Sequence, residues 1–311
     1  MQLQDYVADV QELVHDAIGV SWPVSRVISR INDARLMTSM DMKCFRQLVT
    51  GVQLLPQQEI YNVGPVPGAL GGLGAGLSGA VAGANVTASG SNFGSGSTVQ
   101  ITFDPPPMGG IQALGFGNLT GGALSSITMT QWGQGYTSVP NITIGGVGSG
   151  AAATPVTIFN LLFPLSITYL FNNVRTMLRY LGFTQFQAYA RVLATQFVST
   201  PGAWTFLKEP GQVYIEPLPN QNYTSEWDCM FFTSPLVNLT DIDTQIVDPW
   251  TRAPQFAAAA LLLMKDQDAG RARAAFMQRQ YDMMVPKVVN GVGGIRIPNI
   301  YNRTFQRMVA R

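Results

Sequence analysis

Histidine, cysteine and charge are all scarce in this chain. Of its 311 residues one is histidine, His15, two are cysteine, Cys44 and Cys229, and 12% are charged. A lone imidazole with no ligand partner nearby makes no metal centre. His15 also falls off the apolar stripe around it, as a solvated surface residue would. Two cysteines make no disulfide framework, and no bond between them is expected. The net charge of +1 excludes an overall field that would recruit nucleic acid or a membrane surface. Long apolar runs are missing too. The greasiest, Val156 to Phe171, is interrupted by Asn160 and Pro164 and falls short of the roughly 20 residues of a membrane span. Met1 to Asp5 has neither a basic nor an apolar leader region, so no secretion signal is expected.

The charge that exists is unevenly placed. Between Gly64 and Val174 the only ionised side chain is Asp104. Beyond Asp282 come Lys287, Arg296, Arg303, Arg307 and Arg311, and no acid. A block with one charge lacks the paired groups of acid–base catalysis, so Gly64–Thr157 reads as built for contact.

Pro254 to Met284 is the spine of what is there. Ala257 to Met264 is apolar all round, which a helix tolerates only when other elements surround it. Arg271 to Met284 reads as a one-sided helix, with Ala272, Ala275, Phe276 and Met283 on the apolar side and Pro286 as its end. Upstream, Leu3, Tyr6, Val7, Val10, Val14, Ala17 and Ile18 predict a helix stopped at Gly19. Pro23 opens a second, carried by Val24, Val27, Ile28, Ile31, Ala34 and Leu36 to about Thr38. Two short strands around Pro56-Gln57-Gln58 predict a hairpin within Cys44–Val63.

Gly74 to Gly79 matches GxGxxG, but no strand precedes it, no helix pattern follows and no acid lies at ribose distance; it reads as a linker. From Asn85 to Val156 the chain is short β-segments punctuated by glycine. Val86–Ala88 matches Ile127–Met129, and Val99–Phe103 matches Asn141–Ile144, each about forty residues apart, as a duplicated unit would give. A small β-sandwich or β-roll is expected. Gly133-Gln134-Gly135-Tyr136 through Pro140 resembles a glycine–tyrosine–proline repeat of phage structural and tail proteins.

Asn172-Asn173 suits a tight hairpin turn between Ser166–Phe171 and Val174–Tyr180. Thr184 is placed to cap a helix from Phe186 to Thr195. Strands follow at Ala203–Leu207, Gln212–Glu216 and Tyr223–Phe232. The fold class expected is α+β: a helical core with small antiparallel hairpins (1–63 and 158–286), an inserted all-β domain (64–157) and an extended tail (287–311). The tail alternates Ile295, Ile297, Ile300, Tyr301, Phe305 and Met308 with arginines. It is too short to recover alone the roughly 1–2 kcal/mol per residue that ordering costs, so it is expected to fold onto another chain.

The order of elements, with Gln212–Tyr223, the Ser166–Tyr180 hairpin and Ile246–Met284, resembles the head-to-tail adaptor (connector) proteins of short-tailed bacteriophages. That resemblance implies a structural virion protein at the head-to-tail interface, assembled in the host cytoplasm, without catalytic, cofactor or metal residues. It implies a homo-oligomeric ring, usually of twelve, under the portal ring. DNA would pass through its channel without sequence-specific binding, and a tail nozzle or hub would attach to it. Portal docking would fall to Ile295, Arg296, Ile297, Pro298, Tyr301, Arg303 and Arg307. The block at 64–157 departs from the family pattern; capsid, a tail fibre or a neighbouring adaptor are its candidate partners.

Three rivals stand beside it. Glu226 and Asp228 lie two apart in a strand, with Glu216 placed to be on a neighbouring one, as a wall-degrading glycosidase would require. Arg271, Arg273 and Arg279 could meet phosphates, although Asp266, Asp268 and Asp282 interleave with them as in a salt-bridged face. The β-block could be a glycan- or receptor-binding module.

Overall fold

The computed structural model describes residues 1–16, 21–42, 44–63, 79–107, 109–188, 197–207, 211–246, 250–264 and 268–289. In chain order they form α1 (Leu3–Leu13), α2 (Val24–Met42), β1 (Arg46–Leu54), β2 (Ile60–Asn62), β3 (Gly79–Ser91), β4 (Thr98–Phe103), β5 (Leu114–Thr120), β6 (Ala123–Gln131), β7 (Gly133–Tyr136), β8 (Ile142–Ile144) and β9 (Ser149–Ile158). There follow β10 (Leu161–Phe171), β11 (Val174–Met177), β12 (Arg179–Tyr180), α3 (Phe183–Phe186), β13 (Val198–Ser199), β14 (Ala203–Leu207), β15 (Gln212–Glu216), β16 (Leu218–Pro219), β17 (Tyr223–Phe231), α4 (Arg252–Leu263) and α5 (Asp268–Val289).

This corrects the expected fold class. The chain is 44% strand and 26% helix, with five sheets and five helices among the described residues, so it is not a helical core carrying an inserted β-domain. The spine helix dominates the hydropathy because it is apolar all round. Most strands are short and half-polar, so each stands out little in the hydropathy pattern although together they outweigh the helices. The chain divides into two compact units, Met1–Phe45 with Phe232–Arg311, and Arg46–Phe231.

The first unit is helical. α4 packs against α1, α2 and α5. Ala257, Ala258, Ala259, Ala260, Leu262 and Leu263 are all buried, and the small alanines let neighbouring helices come close. α1 buries Leu3, Tyr6, Val7 and Val10 as its spacing predicts; of the stripe expected on α2, Val27, Ile31 and Ala34 are buried, Ile28 is half-buried, and Val24 and Leu36 are exposed. α2 runs four residues beyond the expected Thr38, to Met42. α1 stops at Leu13, short of the expected end at Gly19, with Val14 as its C-cap and His15 at a positive φ of 56°; Ala17 to Gly19 lie outside the described residues. The first amides of α1 are satisfied from the 232–246 loop: Leu3 N–H donates to Asp241 O (2.9 Å) and Gln4 N–H to Leu239 O (3.0 Å). α5 continues past Pro286 to Val289.

The same loop supplies the unit's buried charge. Arg35 Nε donates to Asp243 Oδ2 (2.8 Å) and Nη2 to Oδ1 (2.9 Å), with both side chains buried. Arg35 Nη1 donates to Ser234 O (2.6 Å), and Asp243 also accepts from the Ile246 and Gln245 amides and the Tyr6 hydroxyl. Burial pushes the Asp243 carboxyl up, but the Arg35 hydrogen bonds and charge and the two amides outweigh it and hold it below the ordinary range.

In the second unit, one sheet runs β1-β17-β10-β11 and another β12-β14-β15-β2. The two strands predicted as a hairpin around Pro56 therefore do not pair. β1 bonds β17 and β2 bonds β15, because the chain turns at Pro56-Gln57 and passes from one sheet to the other. The Asn172-Asn173 turn does join paired strands, both asparagines taking positive φ of 50° and 61°. The strand expected over Val174–Tyr180 is divided at Leu178, where the chain leaves β11 for β12 in the other sheet. α3 starts from Gly182, so Thr184 lies inside its first turn; residues 189–196 are outside the described residues.

Residues 79–158 form two further sheets, β7-β3-β9 and β6-β5-β4-β8, with β3 packed on β6. Val99–Phe103 and Asn141–Ile144 are hydrogen-bonded neighbours, whereas Val86–Ala88 and Ile127–Met129 lie in different sheets, so the two matched pairs are not equivalent parts of a repeat. Gly64–Ser78 lies outside the described residues. β1 bulges between Thr50 and Val52, with Gly51 at φ +83°. That bulge lies against Gly83 of β3, where a Cβ would run into the Gly51 carbonyl oxygen.

Gln53 then ties β1 to the edge of β6. Its Nε2 donates to Ile127 O (2.6 Å), its Oε1 accepts from Met129 N (2.7 Å), and its own carbonyl accepts from Trp132 Nε1 (2.8 Å). Trp132 in turn stacks near Tyr61 (4.8 Å) and Trp227 (5.7 Å).

Candidate functional site

β17 holds the two acids that the spacing paired. Glu226 sits opposite Thr50 and Thr168, Asp228 opposite Leu48 and Ser166, and the two share a face of the sheet. Each meets an arginine from another strand of the same sheet, Asp228 from the adjacent β1 and Glu226 from β11, one strand further out. Arg175 gives Nη1 to Glu226 Oε2 (2.9 Å) and Nη2 to Oε1 (3.0 Å). Arg46 gives Nε to Asp228 Oδ1 (2.7 Å) and Nη2 to the other oxygen. Both oxygens of both acids are thus engaged, whereas glycoside hydrolysis needs a proton-bearing acid and a second carboxylate open to the sugar. Glu216 lies on β15 in a different sheet, so the three acids are not brought together.

Large apolar side chains are exposed in two places. β11 is the outermost strand of its sheet, and Phe171, Val174 and Met177 around its turn are 39%, 62% and 51% exposed. An uncovered strand edge with apolar side chains is what proteins ordinarily guard against, unless another chain covers it.

α5 shows a second such row. The residues it buries are Ala274, Met277 and Tyr281. The stripe expected to be internal, Ala272, Ala275, Phe276 and Met283, is exposed instead. Two rows of apolar residues occupy opposite sides of this helix, and spacing alone did not tell which one α4 would take. From the buried row, Tyr281 also reaches α2, donating its hydroxyl to Asp41 Oδ2 at 2.7 Å.

The three arginines of α5 do not act as one patch. Arg273 is half-buried and donates to Leu13 O (3.3 Å), while Arg271 and Arg279 are exposed. Asp282 accepts from Gln278 (2.9 Å) rather than from an arginine. Asp266 and the side chain of Asp268 lie outside the described residues.

The docking residues expected in the tail, Ile295, Arg296, Ile297, Pro298, Tyr301, Arg303 and Arg307, also lie outside the described residues. His15 is exposed, as expected. Cys44 and Cys229 are free thiols; burial pushes Cys44 up to about 11 and Cys229 higher still. Among the described residues no three His, Cys, Asp or Glu side chains gather as metal ligands, and no helix is long and apolar enough to cross a membrane. A half-open cavity of about 400 Å³ opens beside β6, β7 and the β2 region. Its polar lining is uncharged and includes Gln58, Asn62, Thr130, Gln131 and Gln134.

No family model matches the chain, and no curated protein is significantly similar to it.

Proposed function

We propose that this chain is a structural virion protein: the repeating subunit of a head-to-tail adaptor ring that sits under the portal of a short-tailed phage, extends the DNA channel and carries the tail. The apolar edge at β11 is the observation that supports it most. A strand edge exposing Phe171, Val174 and Met177 is a surface waiting for another protein chain. The acids best spaced for hydrolysis are bound up by Arg46 and Arg175, which favours a contact role over a hydrolytic one. The net charge of +1 suits a channel wall that must let DNA slide rather than hold it.

The test is reconstitution. Full-length protein mixed with purified portal rings is expected to give a stoichiometric complex of matching rotational symmetry by mass photometry and electron microscopy. Portal rings that emerge bare at micromolar concentrations of this protein would exclude the role.

The uncharged amide-lined cavity favours a second reading, binding of a neutral glycan. Chemical-shift perturbation of the Trp132 indole by neutral disaccharides tests it, and an unmoved spectrum at millimolar sugar rejects it.

A further inference from the structure

α5 and α1 carry exposed faces of opposite character. On α5, Ala272, Phe276, Arg279 and Met283 form one row, on the side of the helix away from the buried row of Ala274, Met277 and Tyr281. Phe276 and Met283 are 56% and 51% exposed, and Arg279 has no ion-pair partner among the described residues. The row is apolar at both ends, with a cation in the middle and small alanines at 272 and 275 that let a partner approach.

On α1, Asp5, Asp9 and Glu12 fall on one face around exposed Ala8. α1 contains no lysine or arginine. Burial, then repulsion from Asp5 and Glu12, pushes the Asp9 carboxyl up, against a smaller pull down from the Gln255 hydrogen bond and the Arg252 charge, so this face is net acidic with one cation, Arg252, near Asp9. Asp9 is partly committed to Gln255 Nε2 (2.7 Å), and Asp5 accepts from the Gln2 amide (3.0 Å); the Glu12 side chain has no ion pair among the described residues. α4 packs against both helices, and Arg273 of α5 donates to the Leu13 carbonyl at the C-terminal end of α1. The two exposed faces are therefore different surfaces of one unit.

We infer that the exposed row of α5 docks on the acidic face of α1 in a second copy of this chain, with Phe276 seated over Ala8 and Arg279 meeting Glu12. Two different surfaces joined in this way make a heterologous, head-to-tail contact, which closes into a ring when the rotation per copy divides a full turn. The charge pattern selects a second copy as the occupant: the cation at the centre of one row meets an anionic row on the same molecule's other face. The contact deepens the adaptor proposal and rests on it for the ring's place in the particle, but not for the contact itself.

Charge swapping tests it on the full chain. Glu12→Arg alone and Arg279→Glu alone are each expected to weaken self-association roughly tenfold in sedimentation velocity. The double variant is expected to recover most of the loss, which general damage to the fold would not allow. Phe276→Asp is expected to abolish association without changing the far-ultraviolet spectrum.

A cysteine at Met283 reports the neighbour directly by cross-linking, because the two native thiols are buried or half-buried and weakly reactive. Products joining it to α1 of another molecule support the contact. Products joining it to residues 290–311 of its own chain would overturn it, as would a double charge variant no better than either single one. Rings that form on the portal with Phe276→Asp would sink this interface and leave the adaptor role standing. Wild-type chains that associate head-to-tail yet ignore the portal would do the reverse.

Discussion

Arg35 and Asp243 lie 208 residues apart and share a fully buried, bidentate ion pair. Removing one partner strands the other in a dry site, which costs about 3–5 kcal/mol; replacing both with apolar residues costs far less. Arg35→Met is therefore expected to lower the urea midpoint sharply, and Arg35→Met with Asp243→Leu to restore much of it. The pair also fixes the acid limb of stability. Because the folded carboxyl lies below its ordinary 3.8, its contribution is complete above that pH and is lost as the pH falls through the folded value. Urea midpoints between neutral pH and about pH 3 should show that loss, and Asp243→Asn should remove it.

Gln53 acts at the same scale. Gln53→Leu leaves the Ile127 carbonyl and Met129 amide buried without partners, at about 1–3 kcal/mol each. A lowered melting temperature with intact secondary structure is the expected result. Neither residue was legible beforehand. Arg35 follows Ala34 and lies one turn past Ile31, inside the buried arc of α2, yet a charged side chain reads as solvated until its partner is known. Gln53 was hidden by a strand pattern that assigns it no role.

Elements were more legible than their pairings. The Asn172-Asn173 turn, the strands at 203–207 and 212–216, and the buried stripe of α1 from Leu3 to Val10 follow from local chemistry and stand where spacing puts them. Strand partners depend on contacts far along the chain. That is why β1 and β2 were joined as a hairpin and the balance of helix to strand was misjudged. α5 failed differently, since both of its faces are apolar enough to be the inner one. In α4 the run of buried alanines sets how near its neighbours come. Ala258→Leu is expected to cost about 1–3 kcal/mol by overpacking, read as a lower unfolding temperature.

At the scale of the whole molecule, the helical unit is assembled from both ends of the chain and the β-rich unit from its middle. Each exposes apolar side chain in rows: Phe171, Val174 and Met177 on one, Phe276 and Met283 on the other. A subunit built to be covered by others would carry such rows. Removing Gly291–Arg311 is expected to leave the unfolding transition in place and abolish portal docking, measured by co-sedimentation with portal rings; an unfolded product would place those residues in the core instead. The most direct measurement is made on particles assembled without this chain. Electron microscopy is predicted to show heads that lack tails and have lost their packaged DNA. Tailed particles still holding their genome would contradict the account.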